Sequence, residues 1–342
     1  MVWEVGLHIF IDESGTFVCD GRKPHSISAV GALVIPTASM KGFEKLYGRL
    51  RRRLPLDKGE VKGRQLSEDQ VVEVATLLKK VGSLFEVVAM DMGMHSEEEL
   101  RLHKASQEKA MTAHLTSDHQ TNFVEQVWEL RRQLEVMPLQ LYAQSAAMGE
   151  LVYHTLNHAN VYYAFRMASE LAEYHWTIDA KERSKVTPWE KWWSTVILPM
   201  LESHSFREPS IKAEGGDYRW HDRFKAKPSE YKLQFVKDPE KGDFGDLRLV
   251  MTEDFRFSSD PEFGLEAADI LTNTVRRSMS GHFGRRGWLA LPQLMIHRKD
   301  HYIKLISLSQ EEHATPRVPY AKMINDFRSG GRSILPNKFY SD

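Results

Sequence analysis

The sequence predicts an α/β protein built on a mixed sheet. Three β-favouring apolar runs lie early in the chain, Leu7–Ile11, Ile27–Ile35 and Phe85–Met92. A short polar turn joins the first two, so we expect them to pair antiparallel, and a helix with a clear capping signal lies between the second and the third. Strands separated by a crossing helix are typical of a mixed sheet flanked by helices.

The composition limits the functional classes to consider. The 342 residues are 42% hydrophobic and 27% charged, and 46 basic residues balance 47 acidic ones. A nucleic-acid partner would therefore have to bind a local patch, because the chain has no strong net field. The single cysteine, Cys19, excludes an internal disulfide and a cysteine-based zinc cluster. No leader pattern and no apolar run near the roughly 20 residues that span a bilayer are present, so we expect a cytoplasmic protein without membrane contact.

The first predicted strand ends on two acids, Asp12 and Glu13, and Ser14-Gly15-Thr16 then breaks the pattern. Rigid strand ends are where α/β proteins place metal and phosphate chemistry. Two adjacent acids also repel each other unless positive charge is near. The strand therefore marks Asp12 as a candidate functional residue.

Helical spacing predicts the next elements. Residues 39–53 form a helix with a basic end, and a second helix begins at the capping box of Ser67 and Gln70 and stops at Gly82. After the third strand, another capping box, Ser96 with Glu99, starts a helical segment that continues to about residue 174 without a strand pattern.

The second half of the chain returns to mixed character. His175–Ala180 predicts a strand that carries Asp179 near its end, and Thr187-Pro188 starts a helix to about Glu202. Tyr231–Val236 is a further strand candidate, and residues 247–257 look extended. Asp260-Pro261 is expected to start a helix to about Met279, and one side of it carries Glu266, Asp269, Asn273 and Arg276.

Acidic residues from distant parts of the sequence predict a cation site. Asp12 and Asp179 end strands, whereas Asp269 lies on the late helix with Glu266 one turn before it. Carboxylates bind hard cations such as Mg²⁺ or Mn²⁺, and two ions about 3.5–4 Å apart would stabilise both oxygens of a phosphodiester displacement. Taken alone, Asp179 is more simply an ordinary strand-end or turn residue.

Four pieces of the sequence, Ile11–Gly15, Glu60–Gly63, Asp179 and Gly264–Leu271, occur in this order. Together they resemble the family catalogued as domain of unknown function 3800, over most of the chain in scattered short motifs. The resemblance implies a ribonuclease H-like mixed sheet flanked by helices, with a core of residues 1–94 and 175–342 and a large helical insertion at 95–174. It also implies an acidic centre of Asp12, Asp179 and Asp269, with Glu13, Glu60 and Glu266 as further ligands or neighbours.

A basic stretch follows Asp269 and could bind a nucleic acid. Its basic side chains alternate with aromatic ones, so the stretch could bind phosphates and stack on bases. The alternative is a helix whose basic end complements its dipole. Its members are Arg276, Arg277, Arg285 and Arg286, with His282, Phe283 and Trp288 between or beside them.

Two other patterns have simpler interpretations. Glu150, His154 and His158 share a helix face at metal-binding spacing, but an ordinary polar face is the more economical interpretation without a fourth ligand. A tryptophan-rich run is most simply core or a partner contact, and comprises Trp189, Trp192, Trp193 and Ile197.

These observations favour a nuclease or related phosphodiester hydrolase that uses Mg²⁺ or Mn²⁺ bound by Asp12, Asp179 and Asp269, with Glu13 or Glu266 completing the site. The first alternative is an actin-like ATPase, because Asp12-x-Ser14-Gly15-Thr16 could hold nucleotide phosphates. The second is a non-catalytic module for nucleic acid or protein. In each case the helical insertion is the candidate surface for a protein partner or a second copy of the chain.

Overall fold

The computed structural model describes residues 5–19, 25–117, 119–180, 187, 189–190, 193–227, 245–309 and 318–336. Its strands are β1 Leu7–Ser14, β2 Ile27–Pro36, β3 Leu56–Asp57, β4 Glu60–Val61, β5 Leu84–Asp91, β6 Tyr174–Asp179, β7 Asp254–Ser258 and β8 Ile303–Leu305. Its helices are α1 Thr37–Arg51, α2 Glu68–Lys80, α3 Glu97–Thr112, α4 Thr121–Val136, α5 Leu139–Ala164, α6 Leu198–Arg207, α7 Leu247–Thr252, α8 Phe263–Met279, α9 Arg285–Trp288 and α10 Ala321–Phe327.

Six strands form one mixed sheet, in the order β7-β6-β1-β2-β5-β8. Strand β2 runs antiparallel to both of its neighbours, and the other pairings, β1 with β6, β6 with β7 and β5 with β8, are parallel. The α/β class and the mixed sheet are therefore confirmed. The carboxyl ends of β1, β6 and β7 consequently lie at one edge of the sheet.

Side chains alternate between two buried faces of the sheet. Ile9 and Ile11 of β1 pack in a core that includes most of α5. Phe10 between them packs in a second core with α1, α2 and α8. The sheet is thus covered by helices on both sides, which explains why β2 is buried at every position.

The predicted capping signals are confirmed. Ser67 and Gln70 exchange side-chain and backbone hydrogen bonds at the start of α2, and Ser96 and Glu99 do the same at α3. Gly82 follows α2 with a φ of 73°, which suits glycine because it has no Cβ. Local signals of this kind succeed because their partners are only three residues apart.

Two boundaries differ from the sequence prediction. The helical segment expected to continue to about residue 174 ends at Ala164, because Met167 leaves the helical region before a short 3₁₀ turn over Ala168–Ala172. The stretch 247–257 is not extended throughout: Asp246 caps helix α7 through the Arg248 amide, and β7 begins only at Asp254. The candidate strand at Tyr231–Val236 lies outside the described residues.

The helical segment at 95–174 has two parts with different environments. Helix α5 is largely buried against the sheet, whereas α3 buries only Leu100 and Lys104 and α4 only Leu134. The structure packs α5 within the hydrophobic core, and the division into a core and an insertion at 95–174 stays a prediction. Among the described helices, none has the length and apolar character that crossing a bilayer requires.

Candidate functional site

Asp12 and Asp179 lie side by side at the carboxyl ends of parallel strands. Ile11 pairs with Ile178, so the next positions along β1 and β6 are the two aspartates. Adjacent strands are about 4.8 Å apart. Both aspartates lie on the face opposite Ile11 and Ile178, the side covered by α8, and Asp12 is only 8% exposed.

Asp269 reaches the same side of the sheet from α8. Its Oδ2 accepts a hydrogen bond from the Gly63 amide at 2.8 Å. A Cβ on Gly63 would lie 2.8 Å from the Ile270 Cα and 2.9 Å from the Asn273 Cβ, so only glycine allows this approach. The segment that follows β4 therefore packs directly on the helix face that carries Asp269.

The carboxylates perturb one another electrostatically. Burial raises the pKa of Asp179 to about 6, with Asp269 and Glu60 adding to the rise and Lys62 opposing it. Burial also raises the pKa of Asp269, although the Gly63 amide, Lys62 and Arg64 counteract the effect. These effects indicate that the carboxylates of Asp179, Asp269 and Glu60 are close enough to repel one another.

Lys62 contributes positive charge to this group. Its Nζ lies 2.5 Å from Glu60 Oε2. Burial by itself would lower the pKa of Lys62, but Glu60, together with Asp269 and Asp179, raises it above its ordinary value. The ammonium is therefore charged at neutral pH and offsets part of the negative charge.

The donor chemistry of the acidic group suits a hard divalent cation, because every candidate ligand is a carboxylate oxygen. Within the described ranges, however, no three or more His, Cys, Asp or Glu side chains lie close enough together to hold a metal ion. Asp12, Asp179 and Asp269 therefore share one edge and one face of the sheet without forming a closed ligand set. Their assignment to Mg²⁺ or Mn²⁺ stays a prediction.

Glu266 and Glu13 are placed differently from Asp12. Arg51 donates to the two oxygens of Glu266 at 2.7 and 2.8 Å, and the Val61 amide donates to it at 3.2 Å, so this buried carboxylate joins α1, β4 and α8. Glu13 follows Asp12 on the strand, so its side chain lies on the opposite face of the sheet. The Glu13 amide donates to Asp12 Oδ1 at 2.7 Å.

The four predicted nucleic-acid-binding arginines are dispersed. Arg276 contacts the end of β1, where its Nε donates to Ser14 Oγ at 2.7 Å. Arg277 donates to the carbonyls of Gly63 and Leu66 at 3.0 Å each and thereby holds the loop after β4. The other two form surface ion pairs, Arg285 with Asp326 at 3.2 Å and Arg286 with Asp69 at 2.7 Å.

Two contributors received no role from the sequence pattern. The sequence offers Lys62 only as part of a short motif, in which its position between Glu60 and Gly63 is the available signal. Helical spacing places Asn273 on the side of Asp269, and in the structure its Nδ2 donates to Ser14 Oγ at 3.0 Å. Ser14 thus joins the end of β1 to two residues of α8.

The Glu150 pattern and the tryptophan run lie elsewhere. Glu150 contacts His154 at 3.4 Å and His204 at 3.2 Å, and His158 contacts Glu86 at 3.0 Å, so these groups form successive pairs. Trp189 and Trp193 are buried with ring centroids 5.9 Å apart, which confirms the core interpretation for these two.

Comparison with protein-family models, with curated proteins and with solved structures found no match to this chain. The function is therefore argued from the chemistry of the acidic site.

Proposed function

We propose that the chain is a divalent-cation-dependent hydrolase of phosphodiester bonds, acting on nucleic acid. The observation that carries the proposal is that Asp12 of β1, Asp179 of β6 and Asp269 of α8 lie on the same side of one edge of the sheet. Buried carboxylates cost free energy unless a cation offsets them. The raised pKa of Asp179 indicates that Lys62 alone does not offset this charge fully.

The sheet supports the finer fold assignment within this proposal. The strand order β5-β2-β1-β6-β7, with β2 alone reversed, agrees with the ribonuclease H-like sheet that the family resemblance implies. In α/β proteins, sites lie at the carboxyl ends of strands. The positions of Asp12 and Asp179 satisfy that rule.

The residues of the acidic site would have different roles in the proposed reaction. Asp12, Asp179 and Asp269 would hold the cation, and the Gly63 amide orients the Asp269 carboxylate. A bound divalent cation supplies Lewis acidity and lowers the pKa of water. Arg276 donates to Ser14 through its Nε, and the terminal N–H groups of its guanidinium are suited to a substrate phosphate.

The first prediction tests the cation ligands. We expect Asp12→Asn and Asp269→Asn to abolish Mn²⁺ binding in calorimetry and to lower phosphodiester cleavage at least about 100-fold, because each removes a ligand charge. Cleavage is measured on single-stranded, duplex and hybrid substrates, which also defines the substrate class. Asp300→Asn, at an exposed aspartate, is the matched control and should behave as wild type.

Other outcomes would assign a different function. If both site variants cleave as well as wild type, the assigned centre is wrong. Stabilisation by ATP with Mg²⁺, but not by Mg²⁺ alone, would favour the actin-like ATPase. A wild-type protein that binds no divalent cation would favour a non-catalytic module.

A further inference from the structure

We propose that the solvent side of α1 binds the sugar–phosphate backbone of a nucleic acid and guides one strand toward the acidic site. The surface is a basic stripe of four side chains, Lys41, Lys45, Arg49 and Arg52. The inference rests on the proposed hydrolase function and names the surface on which its substrate is held.

The basic stripe follows one side of the helix. At 3.6 residues per turn, its four positions fall within about 80° around the α1 axis, and all four side chains are exposed. From Lys41 to Arg52 the stripe extends about 16 Å, with a step of about 6 Å between positions four residues apart. Glu44, the only acid within α1, lies outside this arc. The solvent side of the helix is therefore a continuous row of positive charge.

The charge of the basic stripe is not neutralised by ion pairs, in contrast to that of other exposed helices. In α4, Arg131 contacts Glu135 at 2.9 Å and Arg132 contacts Glu129 at 2.7 Å. Within the part of the chain that the structure describes, no member of the stripe lies within 4 Å of a carboxylate oxygen. Like charges one helical turn apart repel each other. A bound polyanion would relieve this repulsion.

The carboxyl end of the basic stripe lies beside the elements that carry the acidic site. Arg51, in the last turn of α1, donates to Glu266 of α8 at 2.7 Å and to the Gly59 carbonyl in the β3–β4 hairpin. Glu266 lies one helical turn before Asp269, and the hairpin leads into Lys62. A strand that follows the stripe is therefore directed toward the acids.

The packing of α1 favours a nucleic acid over a lipid surface. A helix that lies in a membrane interface inserts its apolar side into the lipid. The apolar side of α1, with Phe43, Tyr47 and Leu50, is buried in the core of the protein. Its solvent side offers charge for binding, and cations at regular spacing suit the regularly spaced phosphates of a strand.

The test measures strand binding by the full chain in EDTA, where no cation-dependent cleavage takes place. Fluorescence anisotropy follows a labelled single strand of about 20 nucleotides at about 0.1 M NaCl and over a range of salt concentrations. The stripe variant combines Lys41→Gln, Lys45→Gln and Arg49→Gln. We expect it to bind about 100-fold more weakly than wild type and to reduce the slope of log K against log salt by about 2, because each phosphate contact on a single strand contributes about 0.7.

The matched control removes the same charge from other elements. It combines Lys109→Gln, Lys227→Gln and Lys299→Gln, at three exposed lysines outside α1, and should bind the strand as wild type does. Vesicles that contain anionic lipid are the second probe, and we expect the stripe variant to bind them no differently from the control.

The outcomes separate this inference from the proposed function, because binding in EDTA requires no catalysis. A stripe variant with wild-type affinity and slope, an equal loss in the control, or a wild type that binds no strand would overturn the inference and leave the hydrolase proposal to the cleavage assay. A loss of vesicle binding with unchanged strand binding would overturn it in favour of a lipid surface. If the stripe variant does not fold, as judged by circular dichroism, its three single substitutions decide, each with an expected loss of about fivefold.

Discussion

Asp179, which is half-buried, and Glu86, which is buried, lie on opposite faces of the sheet and have opposite surroundings. Asp179 lies near Asp269 and Glu60, and burial with this repulsion raises its pKa to about 6. For Glu86, burial would also raise the pKa, but Arg298 and His158 outweigh it and lower the pKa to about 2. Among the described residues, Lys62 offsets the charge of the first carboxylate only in part, whereas Arg298 and His158 match that of the second. Only the first is therefore expected to gain from an added cation.

The pH dependence of stability tests this difference at Asp179. An ordinary Asp pKa is about 3.9, so the folded protein binds the proton more tightly, and the contribution of Asp179 is favourable at pH 4 and lost as pH rises through about 6. In EDTA at pH 8, we expect Asp179→Asn to raise the free energy of unfolding by about 1–2 kcal/mol, and by much less at pH 4. Urea denaturation at pH 8 and pH 4 measures the free energy of unfolding of wild type and of Asp179→Asn, with Asp300→Asn as the control. An effect of Asp179→Asn that does not change with pH would contradict the raised pKa of Asp179.

Helix α8 is the element that assembles the site. It contacts β1 through Gly264, the loop after β4 through Asp269, and the end of β1 through Asn273 and Arg276. A Cβ on Gly264 would lie 2.4 Å from the Phe10 ring. The absence of a side chain at Gly264 thus sets how closely the acidic face of α8 approaches the sheet.

Glycine-to-alanine substitutions test that contact. We expect Gly264→Ala to lower the free energy of unfolding by about 1–3 kcal/mol, because Phe10 is buried and cannot yield without repacking. Gly42→Ala is the matched helical control: nothing lies within 4 Å of the position its added methyl group would take, so it should stabilise by roughly 0.5–1 kcal/mol. Urea denaturation of both proteins gives the values. Equal effects of the two substitutions would mean that α8 is free to shift.

At the scale of the whole molecule, an ionic cluster around Glu86 connects the sheet with α5 and with the segment before β8. Glu86 of β5 is buried within the sheet, and it contacts His158 of α5 at 3.0 Å and Arg298, from the segment before β8, at 3.2 Å. Arg298 also donates to the Tyr302 carbonyl at 2.7 Å. The carboxy-terminal part of the chain is thereby joined to α5 through the sheet.

Removing one partner of this ionic cluster should lower the free energy of unfolding. We expect Arg298→Met to lower the free energy of unfolding by about 3–5 kcal/mol, because Glu86 then keeps a buried charge with only His158 beside it. The double variant Glu86→Leu with Arg298→Met should recover most of that loss, since no uncompensated carboxylate remains. Urea unfolding of the single and double variants measures both effects. If the double variant is no more stable than Arg298→Met, the loss comes from altered packing and not from an uncompensated charge on Glu86.

The limits of prediction are visible on α8 itself. Helical spacing placed Glu266 and Asp269 on one side, yet Glu266 binds Arg51 and Asp269 binds the Gly63 amide. Residues three apart differ by about 60° around a helix, so a neighbouring loop can separate their partners. Arg51 and Gly63 are more than 200 positions away in the sequence from these acids, and no local pattern specifies such pairings.

The sequence by itself determined the class of fold, the capping of α2 and α3, and the candidate acids, because alternation, helical spacing and capping depend on residues a few positions apart. It also placed Asp12 at a strand end. Only the tertiary structure decided that β6 lies beside β1, so that Asp179 adjoins Asp12, and that the loop after β4 carries Lys62 to Asp269. The physical reason is that strand order and loop packing depend on the apolar surface that distant segments remove from water together. No single segment determines that quantity.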